Sequence, residues 1–205
     1  MPTTLDLAYP FTGRWLTQNS PANRVPSHGT TLYASSFAID FVPVDESGRS
    51  TPITFASLLY PEPAARFPGF GRPVLAPVDG IIVAVHDSEP DHAAFRGLPS
   101  LRYALTQARR ATAGWPALAG NHVMIKTSGG PVVALCHLQQ DSIRVGLDQH
   151  VEVGQALARC GNTGNSTEPH LHLQAISSVD VMSATAVPIA FYGGLPRNGE
   201  VVDAR

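Results

Sequence analysis

Eighteen glycines and eighteen prolines are spread along this 205-residue chain, and that punctuation limits what it can fold into. Proline removes a backbone donor and fixes φ, and glycine favours turns, so long uninterrupted helices are excluded over most of the sequence. Short strands joined by many turns are the alternative, and the length suits one domain with room for an insertion. Hydrophobic residues make up 43% of the chain, enough for a sizeable core, while charged residues make up only 15% and the net charge is -2. No basic stripe points to nucleic acid, and no acidic tail points to disorder. No apolar run is long enough to span a membrane. The N-terminus, MPTTLDLAYPFTGRWL, lacks a charged segment followed by an apolar core. As written it is not a secretory signal: either the protein is not exported by that route or a signal has been removed.

Taken in order, residues 1–27 read as an irregular segment, because Pro2, Pro10, Pro21 and Pro26 break any helix. Phe11 and Trp15 are expected to pack on the domain as an anchor. The main domain is expected over 28–192, with a loose tail over 193–205. Phe37–Val42 reads as a strand, and 43–71 as a solvent-facing excursion. Pro73–Val85 reads as strand, turn, strand, with Asp79-Gly80 as a tight-turn signal. Residues 87–118 break the β pattern. Leu101, Leu105 and Ala108 recur at helical spacing within 98–111, Pro99 suits a helix start and Gly114 a stop, so a helical insertion is expected there. Gly120–Lys126 and Val132–Leu138 resume the sheet. The fold class is therefore mainly β: an antiparallel, sandwich-like domain with a groove and one helical insertion.

The chemistry gathers in Cys160–Ala175, CGNTGNSTEPHLHLQA. Residues two apart on a strand share a face, so His170 and His172 look into one space. Neutral imidazole is the commonest protein ligand for zinc, which makes the pair a metal-site candidate; two histidines on a surface strand is the plain alternative. Asp40 stands in an otherwise apolar strand, and a carboxylate is rarely buried unless it is paired or bound to metal. The alternative is an acid at a sheet edge. His28, twelve residues upstream, lies in a loop long enough to fold back beside Asp40. Strict alternation over Val132–Leu138 puts His137 with Leu135 and Val133, and Cys136 on the opposite face. Cys136 and Cys160 are read as core thiols or as one disulfide, two states that the sequence does not separate. Asp91, His92, His122, His86 and His150 are read as exposed loop or strand positions. Asn19 and Asn23, upstream of His28, raise the idea of an N-terminal segment covering a metal.

Together these residues resemble peptidase family M23, the lysostaphin/LytM type of zinc metallopeptidase. The resemblance rests on Cys136-His137-Leu138, Val151-x-Val153-Gly154-Gln155, Gly161-Asn162-Thr163-Gly164-Asn165-Ser166 and Pro169-His170-Leu171-His172, with Pro73–Gly80 and Phe37–Phe41 as further matches. It implies Asp40 and His172 as zinc ligands and His137 and His170 as non-ligand active-site histidines. It also implies a peptide substrate, in peptidoglycan stem peptides, cross-bridges or a Gly-rich peptide, and hence a site of action outside the cytoplasm. One departure stands out. The family's usual motif has a histidine four residues before the aspartate, where this chain has Ser36. Serine is a poor zinc ligand, so His28 is expected as the third ligand. A non-catalytic LytM-like cell-wall binding or regulatory module is the alternative reading.

Overall fold

A computed structural model describes residues 4–105, 110 and 112–205. Among them the fold is mostly β and predominantly antiparallel. In chain order the strands are β1 (Leu5–Leu7), β2 (Gly13–Gln18), β3 (Ile39–Pro43), β4 (Pro73–Leu75), β5 (Gly80–His86), β6 (Asn121–Lys126), β7 (Val132–Leu138), β8 (His150–Val151), β9 (Ala156–Arg159), β10 (Leu171–Ile176), β11 (Ala186–Val187), β12 (Ile189–Phe191) and β13 (Val201–Ala204). The helices are α1 (Phe55–Leu59), α2 (Leu98–Leu105) and α3 (Trp115–Ala119), with short 3₁₀ segments at Leu32–Phe37 and Ala64–Arg66.

The main sheet runs β13-β2-β3-β10-β7-β6-β5-β8, with β11 also on β10. Its centre is β10, which pairs antiparallel with β3 on one side and β7 on the other. Alternation then sorts the side chains. Ile39 and Phe41 of β3, Leu135 of β7 and Leu171 and Leu173 of β10 enter the larger core, where Val74 of β4, Leu157 of β9 and Phe191 of β12 cover them. The small β4–β9 sheet and the parallel β1–β12 pair thus roof one face. On the other face Ala134, Cys136, Met124 and Ile176 pack against Trp115 and Ala119 of α3. Asp40, His170, His172 and Gln174 also belong to this second face.

The ends of the chain differ from expectation. Residues 4–27 of the expected irregular segment 1–27 are not simply irregular, nor is 193–205 a loose tail: β2 lies inside the main sheet between β3 and β13. Proline ends helices but does not prevent three- to six-residue strands between prolines, and that is what β1 and β2 are. Phe11 and Trp15 are fully buried and stack at 4.4 Å, as the anchor reading requires.

β4 and β5 are the expected strands on either side of a turn, but the turn does not lie at Asp79-Gly80 and the two do not pair. The chain bends at Pro77–Val78, sending β4 to β9 and β5 to β6 and β8. Gly80 is glycine because a Cβ there would strike the Lys126 backbone. Between β5 and β6 the insertion supplies α2 and α3, and the part of the expected 98–111 helix at 106–109 and 111 lies outside the described residues. Glu62, buried and paired with Arg96, ties this insertion to the 43–71 excursion.

Candidate active site

The site is built on the antiparallel register. His172 of β10 pairs directly with Asp40 of β3 and, on its other side, with Cys136 of β7. Directly opposite residues share a face, so the imidazole of His172 meets the Asp40 carboxylate. His172 Nδ1 donates to Asp40 Oδ1 at 2.9 Å. His28 arrives from outside the sheet. The Ser27 amide donates to the Ser36 carbonyl at 3.0 Å, closing a loop that turns His28 inward. Its Nε2 then donates to Asp40 Oδ2 at 3.0 Å. One ligand atom each from His28, Asp40 and His172 lies within 4.8 Å of the others. Asn19, at the end of β2, donates its amide to Asp40 Oδ2 at 2.7 Å. Asn23 instead accepts from the Asn198 amide, away from the cluster.

The second pair of histidines faces the same pocket. His170 stands 4.6 Å from His137, ring centre to ring centre, and its Nε2 is 3.9 Å from Asp40 Oδ1. Each is oriented by a carbonyl at its Nδ1. His137 Nδ1 donates to Thr163 O at 2.9 Å, and His170 Nδ1 donates to Glu168 O at 2.8 Å with Ser166 Oγ at 3.0 Å. Carbonyl oxygens only accept, so both rings carry the Nδ1 proton and turn Nε2 away from these carbonyls.

His137 does not take the face that strict alternation predicts. His137 and Cys136 both line this pocket, while Leu135 and Leu138 enter the opposite core. A β-bulge is the cause. Leu135 opposes Val123 and Leu138 opposes Asn121, so β7 carries one residue more than β6 between the same points, and His137 takes φ +62°. The bulge re-aims an imidazole that plain alternation buries with Leu135.

The pocket is about 380 Å³. Loop residues 28–35 line it on one side; on the other stand Tyr103, Arg110, Trp115 and Leu118 of the insertion. The insertion also holds the turn between β9 and β10. Asp91 accepts from the Asn162 and Gln140 amides, and His92 Nε2 donates to Gly164 O at 3.1 Å. Asp91 and His92 are therefore half-buried struts and not an exposed pair. His122 is likewise buried, against Trp115 and on Gly120 O, and His86 is half-buried beside it; His150 is exposed as expected. Cys136 and Cys160 are free buried thiols in different cores.

Electrostatics follow the geometry. Burial pushes the Asp40 carboxyl up, but the charge of His28 and the hydrogen bonds from His172 and His28 outweigh it. Asp40 is held well below the usual carboxylate range. Burial pulls His172 down, yet its bond to Asp40 and that charge leave it raised. Burial, reinforced by His170 and His172, holds His137 well below the usual imidazole value, so it is neutral. Burial raises both thiols.

All five site residues expected from the sequence, His28, Asp40, His137, His170 and His172, thus meet in one pocket, while Ser36 does not line it. Sequence reasoning missed Ser27, Thr163, Ser166 and Gln174 as partners of these imidazoles. Only Gln174 carried a signal, lying two residues beyond His172 on the same strand face.

Residues 103–183 match the model of Peptidase family M23. The matched stretch contains His137, His170 and His172; His28 and Asp40 precede it. Among solved structures, the catalytic domain of the antimicrobial peptidase lysostaphin from Staphylococcus simulans is 19% identical, with a TM-score of 0.42, over 74% of this chain and 77% of that one. Lysostaphin in full is 20% identical with a TM-score of 0.41, and the alignment covers 73% of this chain but 40% of that one. A zinc-containing peptidase from Vibrio cholerae is 21% identical with a TM-score of 0.37, over 74% of this chain and 47% of that one.

Proposed function

We propose that this chain is a zinc-dependent metalloendopeptidase that hydrolyses peptide bonds, with peptidoglycan stem peptides or cross-bridges as the substrate that the M23 resemblance implies. The observation that carries the reading is the convergence of His28, Asp40 and His172 beside two further, non-ligand histidines. Two imidazoles and one carboxylate form a nitrogen-oxygen donor set that suits zinc, and three protein ligands are the number found at catalytic sites that keep one position open. The donors also fit a cation on charge: Asp40 is a buried carboxylate whose partners within the site are imidazoles and one amide. His28 Nε2, an Asp40 oxygen and His172 Nδ1 would hold the ion. When bound, zinc supplies a Lewis acid that polarises a peptide carbonyl and acidifies a water.

The chain's own residues supply the proton chemistry. His137 is neutral with its Nδ1 proton on Thr163 O, so its Nε2 lone pair is suited to take the proton of the attacking water. The same nitrogen can return that proton to the leaving amine. His170 is fixed through Nδ1 on Glu168 O and, when protonated on Nε2, can donate to the carbonyl oxygen as negative charge builds there. The pocket walls, formed by loop 28–35 and the insertion, would orient the peptide and limit water access.

Zinc content, measured beside turnover on peptidoglycan, tests the reading. The native chain is expected to hold about one zinc. His28→Ala should lose it, Ser36→Ala should keep it, and His170→Ala should keep the metal while losing turnover. A native chain that stays metal-free with zinc supplied overturns the enzyme reading and favours the binding module.

A further inference from the structure

Both histidines offered to the metal are held from behind, and both supports end on the same short stretch of backbone. Gln174 is fully buried. Its amide nitrogen donates to Tyr33 O at 3.0 Å. A carbonyl can only accept, so the amide cannot flip, and Oε1 must face His172. Oε1 lies 3.0 Å from His172 Nε2 and there requires an N–H. On the other side Ser27 is equally buried, and its hydroxyl donates to Ser35 O at 3.3 Å. With that proton committed, Ser27 Oγ is left as an acceptor for His28 Nδ1, 3.0 Å away. Tyr33 and Ser35 belong to the 3₁₀ segment Leu32–Phe37, in which Tyr33 and Ala34 take φ +54° and +58°. Left-handed backbone at two successive non-glycine residues is uncommon and persists where the surroundings over-determine it. Here it lies in the segment that supplies both anchoring carbonyls.

We propose that Gln174 and Ser27 are positioning residues that set the histidine tautomers of the metal site, the Leu32–Phe37 backbone serving as their common anchor. Without a cation the ring also presents an N–H to Asp40; where a cation takes the place of that proton, Gln174 keeps the other one on His172 Nε2 and leaves Nδ1 to the cation. In the same way Ser27 keeps the proton on His28 Nδ1, and the cation takes the place of the proton that Nε2 presents to Asp40. The offered nitrogens are the two that face Asp40. Metal-bound histidines generally donate their other ring N–H to such a partner, which fixes ring orientation and raises basicity. The inference rests on the zinc reading above. It also gives a role to the segment containing Ser36: where the family motif has a ligand, this segment provides backbone acceptors.

The test is zinc affinity by chelator competition on the full chain, with thermal unfolding of the metal-free proteins as the folding control. Gln174→Met keeps the bulk and loses the acceptor; Ser27→Ala loses the relay. Each is expected to weaken zinc roughly 10- to 100-fold. Gln174→Glu and Ser27→Thr keep an acceptor and should bind zinc about tenfold or more tighter than the acceptor-less variant at the same position. Long-range ¹H–¹⁵N spectra of the zinc-loaded native protein should show protons on His172 Nε2 and His28 Nδ1. Native-like zinc affinity in folded Gln174→Met and Ser27→Ala, or the opposite tautomers in the native spectrum, overturns this inference alone. A native chain that takes up no zinc overturns the function reading, and this inference with it.

Discussion

Gly164 offers a quantitative test of how the turn ahead of β10 is held. Its φ is +68°, and a Cβ built on it would fall 2.5 Å from the Leu118 carbonyl oxygen and closer still to the Gly120 amide nitrogen. Both obstacles are backbone of the insertion, so neither can rotate aside. Gly164→Ala therefore carries two penalties. A non-glycine residue in left-handed conformation costs about 1–3 kcal/mol. Forcing extra volume into a packed contact costs about 1–3 kcal/mol more. Reduced freedom of the unfolded chain returns about 0.4–1 kcal/mol. The net loss is roughly 1–6 kcal/mol, and for a domain of this size each kcal/mol shifts Tm by about 2–4 °C. Gly154 is the control, because its φ is +84° but nothing lies within 4 Å of its Cβ position. Gly154→Ala should therefore show the conformational penalty alone. Thermal unfolding of chelator-treated protein reads both. Movement of the turn should also disturb Thr163 O under His137 and Ser166 beside His170; on the peptidase reading proposed above, turnover by the folded Gly164→Ala protein should then fall about tenfold or more, the scale of a misoriented acid–base group. If Gly164→Ala is no less stable than Gly154→Ala, the close approach of the turn to the insertion is not what requires glycine there.

The depressed value of His137 predicts how metal-free protein responds to acid. Below an unfolded value near 6.5 the unfolded chain binds a proton that the folded chain refuses, so stability falls as pH drops; His172, with its raised folded value, contributes in the opposite sense, being stabilising below 6.5 and losing that as pH rises through its folded value. Comparing urea denaturation of the native chain and His137→Gln isolates the first effect: below pH 6.5 the native chain should lose up to about 1.4 kcal/mol per pH unit relative to the variant, and parallel profiles would refute it. The two cysteines make a simpler prediction. Both are free, buried and raised, so thiol reagents should label neither in the folded protein and both in denaturant; mass spectrometry showing a disulfide or rapid native labelling would contradict the packing.

The parts of the site that a sequence reveals are those governed by the two-residue period of a strand. His170 and His172 share a face for that reason, and Asp40 betrays itself as an acid in an apolar strand. His137 escaped the same logic, because the extra residue on β7 reverses the face, and a bulge leaves no mark in VVALCHL that alternation can read. Ser27 was hidden for another reason, and for Gln174 the period of the strand shows the face but not the partner. The Gln174 amide meets a carbonyl 141 residues away, and no local pattern encodes that distance. The terminal strands were hidden by brevity: LDL and VVDA are too short to show a period, and only pairing with the rest of the sheet makes them strands.

The displaced histidine shows how these levels join. On the zinc reading, placing the third ligand at position 28 and not at 36 lengthens the loop that must close on Asp40, but closure entropy grows only with the logarithm of loop length, so the added cost is about 1 kcal/mol or less. The folded loop offsets this cost with its own bonds, Ser27 N to Ser36 O across the neck and Ser27 Oγ to Ser35 O beside it. Closure at the neck is also what brings Ser27 against His28 and turns the Tyr33 carbonyl toward Gln174. The substitution that looks in sequence like a lost ligand thus belongs with a rearranged loop, in which the segment around Ser36 contributes its backbone in place of a side chain. His28 and that segment should accordingly fail together: opening the neck of the loop removes the orientation of His28 and the anchor of His172 in one step.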